Sequence, residues 1–90
     1  MKCIYVFSID HEIDQVLSLP GGSRPVHVAF QHTLLRIWAI CPVPQDGETK
    51  WRVRVIPSGT EFDFDPSSYL GTVFGTSGTL AWHVFAEIVS

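Results

Sequence analysis

Long apolar runs are missing from this chain of 90 residues. No stretch approaches the roughly 18 consecutive apolar residues of a membrane-spanning helix. The short apolar segment at the start meets acidic residues at once, unlike a secretion signal. Cysteine is also scarce, since Cys3 and Cys41 are the only two and each lies inside a strand-like run. They indicate small buried side chains and a reducing cytosolic compartment rather than a disulfide framework.

The motifs of common enzymes and metal sites are absent as well. No lysine follows the glycines at positions 71, 75 and 78, so they do not form a phosphate-binding loop. There is no nucleophile elbow, and the four histidines lack zinc-ligand spacing. Glu61, Asp63 and Asp65 alternate but lack the glycine and additional oxygen ligands of a calcium loop. We expect no enzyme activity, no catalytic residue, no cofactor and no metal.

Basic residues are few and unevenly placed. The formal net charge is −3, and five of the six Lys and Arg residues, but only two of the nine acids, lie between Arg24 and Arg54. A general nucleic-acid binder carries a basic excess that displaces counterions from phosphates. The charge argues against nucleic acid as the partner and leaves one basic region for a smaller anion.

Apolar and polar residues do alternate along this chain with a period of two. Hydrophobic residues make up 46% of the composition, enough to form a core, and no helical stripe persists for three turns. Six or seven short runs between turn residues predict an all-β fold, a small antiparallel β-sandwich or barrel in a single domain, residues 1–90. The predicted strands cover residues 2–9, 14–19, 26–31, 34–41, 51–57, 69–74 and 79–89.

The pattern also makes specific predictions about individual strands and loops. A single helical turn is the alternative to the second strand. In the third strand, Val26, Val28 and Phe30 are expected on one side. The fourth is apolar on both faces apart from Arg36, as expected of a strand covered on both sides. Residues 42–50 and 57–68 are expected as loops, and residues 75–78 as a glycine-rich hairpin turn.

One pair of candidate residues lies in the last predicted strand. Alternation directs Trp82 into the core, where its loss is expected to cost roughly 3–5 kcal/mol. It leaves His83 on a mixed face, where the imidazole can meet a ligand or a partner chain. A half-exposed strand histidine without a role is the alternative.

A second candidate is an anion-binding patch. Arg52 and Arg54 project from one strand face about 7 Å apart, and two guanidinium groups at that spacing can each grip a phosphate or a carboxylate. Arg36 can extend the patch, and Trp51 or Tyr69 can supply an aromatic ring near a base. The alternative is a solvated face whose arginines guard against aggregation or pair with Glu61, Asp63 or Asp65.

Several plain motifs follow one another in a characteristic order. They are K-x-I-Y-x-F at residues 2–7, L-x-L-P-G-G at 17–22, V-x-F-Q at 28–31, L-R-I-W-A at 35–39, R-V-R-V-I-P-S-G-T at 52–60, Y-L-G-T-V at 69–73 and G-T-L-A-W-H-V-F at 78–85. In this order the chain resembles a family of small phage and prophage proteins of unknown function. The resemblance implies a phage-encoded protein in the cytoplasm of a host bacterium, and it supplies no catalytic residue.

By analogy with small phage proteins that act by binding, the resemblance favours a non-enzymatic counter-defence protein. It would sequester a nucleotide-derived immune signal, with Arg36, Arg52 and Arg54 on the phosphates. The alternatives are a protein-binding inhibitor of a bacterial defence complex, including an anti-CRISPR, and a virion or assembly accessory. The high apolar content predicts a homo-oligomer. Scatter of the basic residues and His83 over separate surfaces would favour the protein-binding alternative.

Overall fold

A computed structural model describes residues 1–75 and 80–89 of the chain. Within these residues there are seven strands and one short 3₁₀ turn. The strands are β1 (Lys2–Ser8), β2 (Gln15–Pro20), β3 (Arg24–Gln31), β4 (Leu34–Pro42), β5 (Glu48–Pro57), β6 (Tyr69–Phe74) and β7 (Ala81–Ile88), and the 3₁₀ turn is Pro66–Ser68. Residues 15–20 are a strand and not a helical turn, because their backbone pairs with β5 throughout.

The strands form two antiparallel sheets. The first has three strands in the order β1-β4-β3, and the second has four in the order β2-β5-β7-β6. One face of each sheet packs against the other, which confirms the predicted small antiparallel sandwich in one domain. In the described part of the chain, no helix is long and apolar enough to cross a membrane.

The core lies between the sheets and consists mainly of β-branched and leucine side chains. Alternation along each strand sends every second residue inward, and burying each such side chain contributes about 1.5–3 kcal/mol. The main cluster contains Ile9, Val28, Leu35, Ile37, Val53, Val55, Val73 and Val84, and a smaller one contains Leu19, Ala39 and Cys41. Trp82 packs against the margin of the main cluster, on the predicted side of β7, and is half-buried rather than enclosed.

The third and fourth strands differ from the prediction. A β-bulge between Pro25 and His27 inserts an extra residue into β3 and interrupts the alternation. Val26 is therefore 37% exposed, whereas Val28 is 4% exposed. The outward face of β4, expected to be covered, is open in the described structure, because its residues are exposed or half-buried.

The predicted loop at residues 42–50 is also shorter than expected. β5 begins at Glu48, where the chain pairs with the end of β2. The turn after β2 approaches this loop closely, since a Cβ built on Gly21 would lie 2.2 Å from the Asp46 carbonyl oxygen. The Gly21 N–H donates to the Gly47 carbonyl at 3.1 Å. Residues 76–78 of the predicted hairpin turn, and Thr79 of the last predicted strand, lie outside the described residues.

Candidate functional site

The sandwich presents two outer sheet faces, and they differ in how they are covered. The outer side of the four-stranded sheet is crossed by the connection between β5 and β6, and we call it the covered face. The outer side of the three-stranded sheet has no such segment among the described residues, and we call it the open face. Candidate residues from the sequence lie on both faces.

Two phenylalanines in the connection cover the first face. Residues 60–65, here the strap, place Phe62 and Phe64 against Phe85, with ring centroids 5.1 and 4.9 Å away. Phe85 and Ile56 point away from the main core but are only 5% and 3% exposed. The strap therefore encloses a third apolar cluster, which lies outside the sandwich.

Polar contacts anchor both ends of the strap. At its start, the Thr60 N–H donates to the Pro57 carbonyl at 3.2 Å. At its end, Asp65 caps the 3₁₀ turn by accepting a hydrogen bond from the Ser67 N–H at 2.9 Å. This backbone hydrogen bond lowers the pKa of Asp65, because it favours the ionised carboxylate.

The structure brings Arg52 and Arg54 to the covered face, as their alternation predicted. Both guanidinium groups are already paired, but with carboxylates other than the expected Glu61, Asp63 or Asp65. Arg52 donates two hydrogen bonds to the Asp14 carboxylate, at 2.9 and 2.5 Å, and these lower the pKa of Asp14 and raise that of Arg52. Arg54 donates to Glu87 at 3.0 Å and lies 4.3 Å from the centre of the Phe64 ring. An arriving anion would compete with these carboxylates.

A groove of about 350 Å³ runs beside the two arginines. Its walls include the strap residues Phe62 and Phe64, and three carboxylates also line it: Asp14, Glu61 and Asp63. Acidic side chains therefore outnumber the basic ones along this groove. Among residues 1–75 and 80–89, no group of three or more His, Cys, Asp or Glu side chains is placed to hold a metal ion.

His83 lies on the covered face in a chain of hydroxyl groups. Its Nε2 is 2.8 Å from Ser58 Oγ and its Nδ1 is 2.9 Å from Thr72 Oγ1. The Tyr69 hydroxyl in turn hydrogen-bonds Thr72 Oγ1. Both ring nitrogens of His83 are thus engaged with neighbours from β6 and from the turn after β5. This arrangement connects two of the predicted site residues, His83 and Tyr69, and fixes the imidazole orientation.

The remaining predicted site residues lie elsewhere. Arg36 projects from β4 onto the open face, on the opposite side of the molecule from Arg52 and Arg54. Trp51 points between the sheets and packs against both core clusters, and its Nε1 has no hydrogen-bond partner in the described structure. The predicted set is therefore divided between two outer faces and the core, so it does not form one ligand site.

The open face combines apolar side chains with cations. Register places the outward residues of β1 beside those of β4, with Ile4 opposite Ile40 and Val6 opposite Trp38. Ile4 is 60% exposed, Val6 38% and Leu34 49%. On β3 the His27 ring lies 5.6 Å from the Trp38 ring. The result is a broad apolar surface centred on β4.

Three basic residues lie on this face: Lys2 and Arg24 near Ile40 and Pro42, and Arg36 between Leu34 and Trp38 along β4. None of them forms an ion pair within the described residues, and no Asp or Glu occupies an outward position of β1, β3 or β4. Lys2 and Arg24 flank a cleft of about 300 Å³ whose walls include Ile40 and Pro42. The open face therefore combines apolar side chains with basic ones and carries no acidic residue on its three strands.

Sequence reasoning did not identify the strap or the open face. The alternation of Phe62 and Phe64 in E-F-D-F-D was a usable signal, because two aromatic rings two residues apart project to one side of an extended segment. For the open face, the signal was the doubly apolar β4, which fits an interaction surface as well as a covered strand.

Comparison with known proteins gives one match. The profile of a family described as a domain of unknown function, DUF7352, matches residues 1–90. No curated protein and no solved structure matches the chain.

Proposed function

The chain belongs to the DUF7352 family of domains of unknown function, and from its geometry we propose that it is a non-enzymatic binding protein whose open face docks on an acidic surface of another protein. The observation that carries this proposal is an uncovered apolar surface that holds three cations without an ion pair among residues 1–75 and 80–89. The Arg52 and Arg54 pair, in contrast, is satisfied within the chain.

The charge of the open face selects the kind of partner. The whole chain carries a net charge of −3, yet the outward positions of the three-stranded sheet carry Lys2, Arg24 and Arg36 and no acid. A partner with carboxylates around an apolar patch would pair with these cations, and complementary potentials raise association rates and reject wrong partners.

The centre of the open face has the composition of a binding hot spot. Trp38 sits in the central strand of its sheet, beside Val6 on one side and His27 on the other. Tryptophan and arginine are enriched among interface residues that contribute most to affinity. We therefore assign the main apolar contact to Trp38 and Ile40, and the orienting charges to Lys2 and Arg24.

The resemblance to small phage proteins supplies the biological setting. In that setting the protein is phage-encoded, acts in the cytoplasm of its bacterial host, and inhibits a host defence protein by occupying it. This part of the proposal rests on sequence motifs alone, whereas the docking surface rests on the described side chains.

The experiment compares two variants of matched chemistry on the two outer faces. Trp38→Glu alters the open face, and Phe74→Glu introduces the same charge at a 65% exposed aromatic on β6 of the other sheet. Each variant and the unaltered protein are used to capture partners from bacterial lysate, and a captured protein is then purified for binding measurements.

We expect a partner that binds in a fixed ratio to the unaltered protein and to Phe74→Glu, and at least about tenfold more weakly to Trp38→Glu. Lys2→Ala combined with Arg24→Ala should reduce affinity for the same partner and reduce its salt dependence. A partner that tolerates Trp38→Glu but not Phe74→Glu would move the docking surface to the other face and overturn the proposal.

Sequestration of a nucleotide-derived signal is the second candidate, favoured by the groove that holds Arg52 and Arg54 beside Phe62 and Phe64. A phosphate would displace Asp14 and Glu87 from the guanidinium groups while a base stacks on an exposed ring. Calorimetric titration with cyclic dinucleotides and ADP-ribose derivatives tests this candidate. Binding that disappears in the Arg52→Ala, Arg54→Ala double variant would establish it, and no heat with any of them would remove it.

A further inference from the structure

We propose that β1 is the dimerisation strand of this protein and pairs with β1 of a second copy, antiparallel and centred on Tyr5. The two three-stranded sheets would then join into one continuous sheet. This inference does not rest on the proposed function, because it is argued from the outward backbone groups of β1, although Lys2, Ile4 and Val6 also belong to the open face. The occupant is a second copy, because the strand complements itself in hydrogen bonding, charge and shape.

Backbone hydrogen bonding shows which groups of β1 are free. At the two ends of the strand, the Ile9 N–H donates to the Leu35 carbonyl at 3.0 Å and the Val43 N–H donates to the Met1 carbonyl at 2.9 Å. Antiparallel ladders alternate between bonded and non-bonded pairs. The odd-numbered residues Cys3, Tyr5 and Phe7 therefore bond to β4, and the even-numbered residues direct their N–H and C=O groups outward.

No other described strand satisfies these outward groups, since β4 is the one strand paired with β1 among residues 1–75 and 80–89. A two-fold axis at Tyr5 places Ile4 opposite Val6 of the partner subunit, and Lys2 opposite Ser8 of the partner subunit. All these residues are even-numbered, so each pair exchanges two backbone hydrogen bonds in the ordinary antiparallel geometry.

The side chains of β1 suit the same register. The strand KCIYVFS has a single charged residue, at one end, so no like charges face each other across the axis. Ile4, Tyr5 and Val6 are 60%, 42% and 38% exposed, and they lie at the centre of the strand, where the pairing would bury them. Cross-strand apolar and aromatic pairs of this kind stabilise antiparallel sheets.

The other three edge strands carry features that hinder such pairing. β2 ends at Pro20, β3 contains Pro25 and a bulge, and the pairing of β6 with β7 shifts register between Tyr69 and Gly71. Proline and bulges protect natural sheet edges from intermolecular pairing. Within the described strands, β1 is the edge that lacks both.

The test is the mass of the protein in solution, measured by sedimentation over a range of concentrations. We expect the unaltered chain to sediment at twice its 10.1 kDa mass at high concentration and to dissociate on dilution. Ile4→Lys should raise the dissociation constant at least about tenfold, because it adds a charge beside the axis.

Val16→Lys is the matched control, because Val16 on the edge strand β2 is also 60% exposed. It should leave the dimer intact. Val6→Pro removes one outward N–H and should also dissociate the dimer, and the thermal transitions of all three variants report whether the monomer stays folded. A 10.1 kDa particle at millimolar concentration, or equal dissociation by Val16→Lys and Ile4→Lys, would overturn the proposal.

A crosslink tests the register itself. In a Cys3→Ser background, Tyr5→Cys places two thiols at a non-hydrogen-bonded pair on the axis, where Cα atoms about 4.5 Å apart lie within disulfide range. Mild oxidation should give a disulfide-linked dimer, while Val16→Cys in the same background should stay monomeric on a non-reducing gel. A crosslink by Val16→Cys alone would place the interface at β2 instead.

Discussion

The two outer faces of the sandwich carry similar residues, but they differ in whether apolar side chains are covered and whether charges are paired. Each has apolar side chains and arginines, but on the four-stranded sheet the strap covers Ile56 and Phe85, and both arginines pair with carboxylates. On the three-stranded sheet Ile4, Val6 and Leu34 stay exposed and the cations have no carboxylate partner in the described structure. A sheet face with apolar and basic side chains therefore indicates a binding surface only when the chain itself neither covers the apolar side chains nor pairs the basic ones.

The contrast also separates stability from recognition. Substitutions on the covered face should lower the free energy of unfolding, because they remove buried contacts there. Substitutions on the open face should change affinity for a partner while folding is preserved, because exposed side chains contribute little to the folded state of the single chain.

The largest effect is expected from Phe85→Ala. Phe85 is 5% exposed and contacts Phe62, Phe64 and Tyr69, so its removal leaves a cavity that should cost roughly 3–5 kcal/mol in urea denaturation. Phe74→Ala is the control, because Phe74 is 65% exposed and should cost far less. Equal losses in the two variants would mean that the strap does not cover its sheet.

Phe64→Ala should have an intermediate effect of about 1–2 kcal/mol, since it removes a half-buried ring and the cation–π contact of that ring with Arg54. Limited proteolysis provides a second measurement. Cleavage within residues 60–65 should accelerate in this variant and leave the sandwich intact. Unchanged cleavage would indicate that the strap is held by other contacts.

Leu34→Thr on the open face should change the free energy of unfolding by no more than about 0.5 kcal/mol. Leu34 is 49% exposed, and threonine suits a strand, so little is lost on substitution. Urea denaturation at low protein concentration checks this without a contribution from self-association. A loss as large as that of Phe85→Ala would contradict the distinction between the faces.

The smallest effect concerns the ion pair of Asp14 with Arg52. The hydrogen bonds from Arg52 lower the pKa of Asp14 below its ordinary value of 3.8, so the folded state favours the ionised form. The resulting stabilisation is present above the ordinary value and is lost as the pH falls through the lowered one.

Asp14→Asn should therefore be slightly less stable than the unaltered protein near neutral pH and indistinguishable from it at the lowest pH. Because both side chains are largely exposed, salt should reduce the difference. Asp46→Asn, whose carboxylate forms no ion pair within the described residues, serves as control. A difference that grows on acidification would contradict this assignment.

The strands were predictable from the sequence because they depend on local alternation. The run W-R-V-R-V alternates cleanly, and the structure buries Val53 and Val55 while Arg52 and Arg54 face outward. The prediction for Val26 was wrong because a bulge changes the side of the strand on which a residue lies, and no local sequence pattern indicates this bulge. The start of β5 was missed because Glu48 joins the sheet through its partner β2.

The candidate site was less predictable because it depends on which face each strand turns outward. Arg36 and Arg52 both lie on outward positions, but their strands belong to different sheets. The sequence pattern singled out His83 as a polar residue in an apolar strand, but it could not identify its partners Ser58 and Thr72, which lie elsewhere along the chain. The face on which each arginine lies and the partners of His83 both depend on which strands pair, and strand pairing is a long-range property.

The close approach at Gly21 has a practical consequence for engineering. Asp46-Gly47 looks like an ordinary surface turn that would accept an inserted tag, yet the Asp46 carbonyl oxygen lies against Gly21 and the Gly47 carbonyl oxygen accepts the Gly21 N–H. An insertion there would separate two turns that hold the ends of β2 and β5 together.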